Sequence, residues 1–413
     1  MKTAIVGGGA AGFFAAVNLK EMMPDMQVVI LERSQRVLHK VTLSGGGRCN
    51  LTNSFRMVDD LQWVYPRGHR LMKRLLRTFS HDDAYRWFEQ HGVPLVTQPD
   101  ECVFPKAQDS RAITQCLTSL ARRYGVTVRT AQPIDSLQQL ADYDFVLVAT
   151  GGQPRAKGLQ WLCDAGHDIA EPVPSLFTFC IADEALRSLM GLVAEEAAVG
   201  ICGTKMRAEG PLLVTHWGMS GPAILKLSSY GARWLAEHDY RCQISVNWTG
   251  HHETEIMEEL QRMQGAHRMK QLQTPCAWQF PCQDSTQPYV MPTRLWSHLL
   301  NRALGEKAGL RWVDIGRKDL NRLASTIAAD VYDVSGKAPQ RDEFVTCGGI
   351  ALDNVSSQTL ESKRQPGLFF AGELLDIDGI TGGFNLQAAW TTAYVAAKAI
   401  AAAAEKKKLE FGR

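Results

Sequence analysis

Cys49 is the most chemically versatile side chain in this sequence because of its setting, Leu43-Ser44-Gly45-Gly46-Gly47-Arg48-Cys49-Asn50-Leu51-Thr52-Asn53. Three successive glycines followed by Arg, Cys, Asn and Thr make a loop of exposed backbone N–H donors with polar side chains among them. A thiol there has two readings. It is either a general acid that supplies a proton as hydride is delivered across a C=C bond, or a group that only packs. Arg48 beside it suits a substrate anion or a pyrophosphate. His216, in Thr215-His216-Trp217-Gly218-Met219-Ser220-Gly221-Pro222-Ala223, is a second candidate for proton transfer, set against a capping or core role. Ser220 is not a hydrolase nucleophile, since G-x-S-x-G would need glycine where Pro222 stands. Gly221-Pro222 instead sets a turn and starts a helix at Ala223–Ser229.

The elements around these groups point to a nucleotide. Thr3 to Val6 is an apolar strand running into Gly7-Gly8-Gly9-Ala10-Ala11-Gly12, which is G-x-G-x-x-G at the mouth of a helix over Ala10–Met22. Gly7 permits a tight turn, Gly9 and Ala11 line the approach of a pyrophosphate, and Gly12 allows close packing of helix on strand. The helix N-terminus supplies N–H groups and the positive end of a dipole. Gln27 to Leu31 reads as the next strand and ends at Glu32, with Arg33 following. A carboxylate at that point accepts hydrogen bonds from ribose hydroxyls and disfavours a 2′-phosphate.

Three further segments separate FAD from NAD as the nucleotide. The loop holding Gly46, Gly47, Arg48, Cys49 and Asn50 comes too soon after the first fingerprint for a simple NAD dehydrogenase. It suits a chain returning past a pyrophosphate and an isoalloxazine ring. Asp144 to Ala149 is a buried-type strand ending in Thr150-Gly151-Gly152, and a strand begun at Gly125–Val128 leads to Pro133, placed against adenine. Far downstream, Gly367–Ala371 is a strand leading into Gly372 and Glu373. Asp376 or Asp378 is placed to bind ribityl hydroxyls, and Gly382, Gly383, Asn385 and Leu386 open an Ala-rich helix over Gln387–Ala404. That helix N-terminus favours negative charge on a reduced ring.

Taken together these residues resemble the bacterial NAD(P)/FAD-dependent oxidoreductases of the aminoacetone oxidase, BaiN and YhiN type. The matches are Gly7–Gly12, Ser44–Asn53, Thr215–Leu225, Ala371–Gln387 and Thr346–Leu352. The resemblance runs from the first residue to the last helix. It implies an α/β fold in which a glutathione-reductase-like FAD-binding Rossmann domain carries an inserted β-barrel and a helical element. Independently, the Rossmann signals lapse in the middle of the chain. Val199–Val214 has alternating runs suited to barrel strands, and Glu253–Met263, Leu295–Ala308 and Lys318–Val331 read as helices, with Gln271–Pro292 as a joining stretch. The expected division is residues 1–185 plus 345–413 for the FAD domain and 186–344 for the insert.

Bulk properties limit the partners. The chain has 413 residues, 45% hydrophobic and 21% charged, with a formal net charge of +2, so it is no polyanion binder as a whole. Locally, Arg67, Arg70, Lys73, Arg74 and Arg77 crowd together after Trp63 and Tyr65. This is either a solvated helix face or a docking surface for an anion such as RNA. Ten cysteines form no C-x-x-C pair and no zinc array, and the N-terminus reads as a strand rather than a leader. A cytoplasmic flavoprotein with no metal and no membrane contact is the expectation; the oligomeric state is open.

The leading expectation for activity is a reductase in which NADPH or NADH visits the flavin transiently and an unsaturated small molecule, or uridine in rRNA, is reduced. The absence of a second G-x-G-x-x-G unit and of a redox C-x-x-C counts against the flavin disulfide reductases. An amine oxidase of the aminoacetone type, producing hydrogen peroxide, is the alternative enzyme. A flavin-containing RNA- or ribosome-associated binding factor is the alternative from another class.

Overall fold

Five short segments, four of them mainly apolar, build the central sheet. In the computed structural model, which describes residues 1–153, 156–274, 276–278, 291–339 and 345–411, their order is Leu368–Phe370, Phe145–Val148, Lys2–Val6, Gln27–Leu31, Thr127–Arg129. Every neighbouring pair is parallel. Ile5 lies level with Ile30 on one side and Leu147 on the other. Ala4 and Ile5 are fully buried. A strand covered on both faces is apolar throughout rather than alternating, and Phe145–Val148 and Leu368–Phe370 have that character, while the edge segment Thr127–Arg129 is exposed.

Helix Ala10–Met22 follows the first strand, and a 28-residue helix, Phe384–Phe411, packs on it. Phe14 meets Trp390 with ring centroids 5.2 Å apart. Ala389, Ala393, Ala396 and Ala397 join the same core, so small side chains let the helices approach closely. The C-terminal helix is longer than the expected Gln387–Ala404, because the Glu-Lys-Lys-Lys run after Ala404 is made of good helix formers. The third-strand region is shorter than expected, ending at Arg129, and Pro133 lies in exposed coil. Two small antiparallel pairings escape sequence reading. One joins Thr52–Asn53, Cys102–Pro105 and Leu95–Thr97; the other joins Ile169–Ser175 to Val345–Ile350.

The chain divides into two compact units, Met1–Ser175 with Gln340–Arg413, and Leu176–Pro339. The expected edges stood at 185/186 and 344/345. In the second unit six antiparallel strands close into a barrel, in the order Val193–Ile201, Arg207–Val214, Gly218–Ser220, Phe179–Ile181, Asp330–Lys337, Cys242–Asn247. Helices Glu253–Ala266, Thr293–Leu304 and Arg317–Ala328 are inserted between its last two strands in chain order and pack together. Val331, expected in a helix, belongs to Asp330–Lys337, where alternate residues are buried. The expected joining stretch, Gln271–Pro292, lies largely outside the described residues. No helix among the described residues is long and apolar enough to cross a membrane.

Candidate functional site

The glycine-rich and acidic turns of the first unit gather at one edge of its sheet. Gly7, Glu32, the Ala149–Gly152 turn and Gly372 each follow the C-terminal end of a parallel strand. The chain departs from the central strand towards both sides, and ligands of open α/β sheets lie in the crevice outside the strand ends at such a point. Gly12 is dictated by packing, since a Cβ there would stand 1.9 Å from the Gly7 carbonyl oxygen. Gly9 faces open space. The helix that starts beside it has no side-chain cap and no acidic residue in its first turn, so its N–H groups are available to an anion.

Glu32 is fixed at that edge. The Gly8 N–H donates to its Oε2 (2.7 Å), and the Ser34 N–H and hydroxyl donate to Oε1 (both 2.8 Å). A carboxylate retains further lone pairs for hydroxyl donors. The Gln132 N–H donates to the Glu32 carbonyl (2.9 Å), which brings Pro133 alongside, and Arg33 is exposed. Thr150 Oγ1 is buried without a hydrogen-bond partner, an orphaned polar atom one residue before Gly151. Lys40 donates to Glu373 Oε2 (2.8 Å) and the Thr346 N–H to Oε1 (2.9 Å). Burial opposes the Glu373 charge, yet Lys40 and the N–H groups of Thr346 and Gly152 outweigh it and hold the carboxyl below its ordinary range. Glu373 is therefore a tie between three chain segments.

The two distinctive motifs meet. Asn50 donates from its amide to the Thr52 carbonyl (3.0 Å) and accepts from the Gly383 N–H (3.2 Å). Asn53 donates to the Gly382 carbonyl (3.2 Å), Thr52 Oγ1 to Gln387 Oε1 (2.6 Å), and Trp390 Nε1 to the Leu51 carbonyl (3.0 Å). Gly383 has φ of +89°, and a Cβ there would stand 2.4 Å from the Thr52 carbonyl oxygen, so only glycine fits. Asn385 clamps Gly379, accepting its N–H and donating to its carbonyl (both 2.8 Å). Leu386 is half-buried beside it. Gly46 and Gly47 face open space, while Arg48 lies over the Phe104 ring (4.4 Å) and donates to the Gly45 carbonyl (3.2 Å).

Three candidates stand elsewhere. Cys49, at φ +62°, is fully buried by the protein itself within the hydrophobic core. Burial pushes its thiol up to about 12 against an opposing hydrogen bond with Ser44. A group sealed this way offers no face to a ligand. Asp378 is also fully buried: Arg67 donates to both its oxygens, from Nε at 2.6 Å and from Nη2, and Ser175 donates at 3.1 Å. Burial pulls the Arg67 guanidinium down, but the Asp378 carboxylate outweighs it and holds it above its ordinary value. Arg67 is thus a half-buried structural cation, not a member of a solvated basic face, and half-buried Asp376 is the more accessible of the two aspartates. His216 is exposed on the Thr215–Gly218 hairpin turn of the barrel unit, beside Trp217. Sequence reading did not single out Thr52 or Lys40. Of these, only Thr52 carried a signal, its place inside Ser44–Asn53.

A parallel Rossmann sheet with an uncapped glycine turn, a second glycine loop and a distant helix N-terminus, joined to a closed β-barrel, defines a flavoprotein of the mixed α/β class. The chain belongs to the HI0933-like family, whose Rossmann-domain pattern matches residues 1–399, and it is an FAD-dependent oxidoreductase. A 3-dehydro-bile acid delta(4,6)-reductase of Clostridium scindens is 25% identical, over 96% of this chain and 98% of its own. Ribosomal RNA dihydrouridine synthases of Haemophilus influenzae and Escherichia coli are 25% and 27% identical. They span 96% and 97% of this chain and 97% and 98% of their own. Among solved structures, 3-ketosteroid delta1-dehydrogenase of Sterolibacterium denitrificans has a TM-score of 0.48 at 13% identity, over 97% of this chain and 99% of that one.

Proposed function

We propose that this protein is an NAD(P)H-fed reductase of a C=C bond conjugated to a carbonyl. The observation that carries the reading is that relatives aligned over nearly the whole chain are named for one chemistry on dissimilar molecules. A delta(4,6)-reductase of a 3-dehydro steroid and a dihydrouridine synthase both add two hydrogens across an enone-type C=C. FAD, when bound, supplies the hydride that such an addition needs.

The residues fit that cofactor. Orphaned Thr150 Oγ1 and the uncapped N–H groups after Gly9 would meet a pyrophosphate. Glu32 would take ribose hydroxyls, with Pro133 near adenine. Gly46 and Gly47 have room for a close neighbour, and Asp376 is the carboxylate left for ribityl hydroxyls. The Phe384–Phe411 helix has no acid in its first turn and starts at the paired loops, so its dipole favours negative charge at that point. Cys49 keeps its proton and packs the loop from beneath, so the proton for the second carbon comes from another group or from water.

An anaerobic titration of the FAD-loaded protein with NADPH and then NADH tests the donor side through flavin absorbance. Bleaching is expected. Failure of both, with bleaching by an amine and peroxide formed in air, would replace this reading by the oxidase one.

A further inference from the structure

A cavity of about 760 Å³ opens in the first unit, and none of the residues assigned to the nucleotide lines it. One wall is the helix Arg111–Arg123. Its Ala112, Gln115, Cys116, Ser119 and Arg123 stand at i, i+3, i+4, i+7 and i+11 and so share one face, about 16 Å long at the helical rise. Ile113, Leu117 and Ala121, all buried, hold the same helix to the core. The facing wall is the end of helix His81–Gln90 together with the segments 92–94 and 105–107.

The walls are fastened. The Lys106 N–H donates to the Pro94 carbonyl (2.8 Å), and the Ser110 N–H, at the start of the helix, to the Gly47 carbonyl (2.9 Å). The Cys116 thiol donates weakly to the His91 carbonyl (3.8 Å). The His91 ring stacks on Trp87 with centroids 4.0 Å apart, its Nδ1 against the Trp87 carbonyl (2.7 Å) and its Nε2 against Glu21 (2.9 Å). A cavity bounded by segments tied in this way is pre-formed, so little ordering of the protein opposes a ligand.

The lining carries one sign of charge. It includes the exposed Lys106 and Arg123 and no Asp or Glu. Exposed cations are common on this protein; these two differ in bordering a concave space. Glu21, next to His91, is engaged by that ring and by the Tyr124 hydroxyl (3.0 Å). The carbonyls ending helix His81–Gln90 are also occupied, Phe88 by the Val93 N–H and Glu89 by the Gly92 N–H (both 3.0 Å). Buried Val93, Pro105 and Leu120 give the floor an apolar surface. An apolar floor under a cationic rim is complementary to an amphipathic anion. A bare inorganic anion would leave the floor unused, and a cation would meet Lys106 and Arg123. The volume is that of a small-molecule site, which spans roughly 300–1,000 Å³.

We propose that this cavity is a second small-molecule site, for an organic anion whose head group meets Lys106 and Arg123 and whose apolar body lies on Val93, Pro105 and Leu120. The test is fluorescence titration of the FAD-loaded protein with 8-anilinonaphthalene-1-sulfonate and with its uncharged counterpart, N-phenyl-1-naphthylamine. Wild type should bind the sulfonate about tenfold more tightly than the uncharged probe. K106Q/R123Q should lose about tenfold for the sulfonate, the effect of removing charge-assisted contacts, and keep its affinity for the uncharged probe. Ser119→Trp, at an exposed position on the cavity wall, should melt like wild type and lose both probes. Decanoate and decyl phosphate should displace the sulfonate from wild type, the better competitor naming the head group. Sulfonate binding that is equal in wild type and K106Q/R123Q, or in wild type and Ser119→Trp, overturns the site. So does a wild type that binds the two probes equally or binds neither, and so does displacement by neither competitor.

Discussion

Arg67 and Arg70 look equivalent in the sequence, and the structure makes them opposites. Replacing Arg67 by methionine would leave Asp378 fully buried with, among the described residues, only the Ser175 hydroxyl donating to it, at 3.1 Å. Removing one partner of a buried ion pair costs roughly 3–5 kcal/mol, because the remaining charge is uncompensated. For a unit of this size, 1 kcal/mol corresponds to about 2–4 °C in Tm, so Arg67→Met should lower the melting temperature by roughly 10 °C. Arg70→Met, at an exposed position without partners among the described residues, should stay within about 0.5 kcal/mol. The paired substitution R67M/D378L should recover most of the loss, since a well-packed apolar pair replaces a buried ion pair at little cost. Calorimetric melting of the four proteins at one FAD concentration is the assay. Equal melting of Arg67→Met and Arg70→Met, or a double variant no better than the single, would refute the assignment of Arg67 to the interior.

Gly383→Ala should reduce FAD content sharply in the purified protein, because a methyl 2.4 Å from the Thr52 carbonyl must push the two motifs apart; flavin-to-protein absorbance measures it. Native Cys49 should resist alkylation while exposed Cys202 reacts, as read by peptide mass, and Cys49→Ala should leave turnover within about twofold. The Cys49 thiol is raised by burial, so its contribution to stability is present below about pH 9 and lost as pH climbs towards 12. Alkaline unfolding should therefore set in later for Cys49→Ala relative to its own stability at pH 7. Glu373 is held below its ordinary range, so its contribution is present above about pH 4.3 and lost as pH falls through its folded value. Lys40→Met removes the strongest opposing charge, and the midpoint of acid unfolding, followed by circular dichroism, should move to higher pH.

Local patterns in the chain carried the sheet and the nucleotide crevice. Lys2–Val6, the helix Ala10–Met22 and Gln27–Leu31 are each contiguous, and their apolar runs and glycine spacing reveal them without tertiary information. The meeting of Thr52 with Gln387 is different, because it joins residues 335 apart through a strand of two residues. No periodicity can mark so short an element. Arg67 and Asp378 were both conspicuous by type, one as a surface cation and one as a ligand for hydroxyls. Their pairing across 311 residues is a fact of burial, which sequence does not display. Cys49 likewise drew attention as a thiol in a polar loop, yet its left-handed backbone turns it into the core between exposed Arg48 and half-buried Asn50.

The most direct test of the proposed activity is to reduce the FAD-loaded protein anaerobically with NADPH or NADH, remove the nicotinamide, and add a conjugated enone or a uridine-containing single-stranded RNA. Return of the oxidised flavin spectrum, with two hydrogens added to the acceptor by mass, is the expected result. A reduced flavin that ignores both acceptors and is reoxidised only by oxygen would contradict the assignment as a C=C reductase.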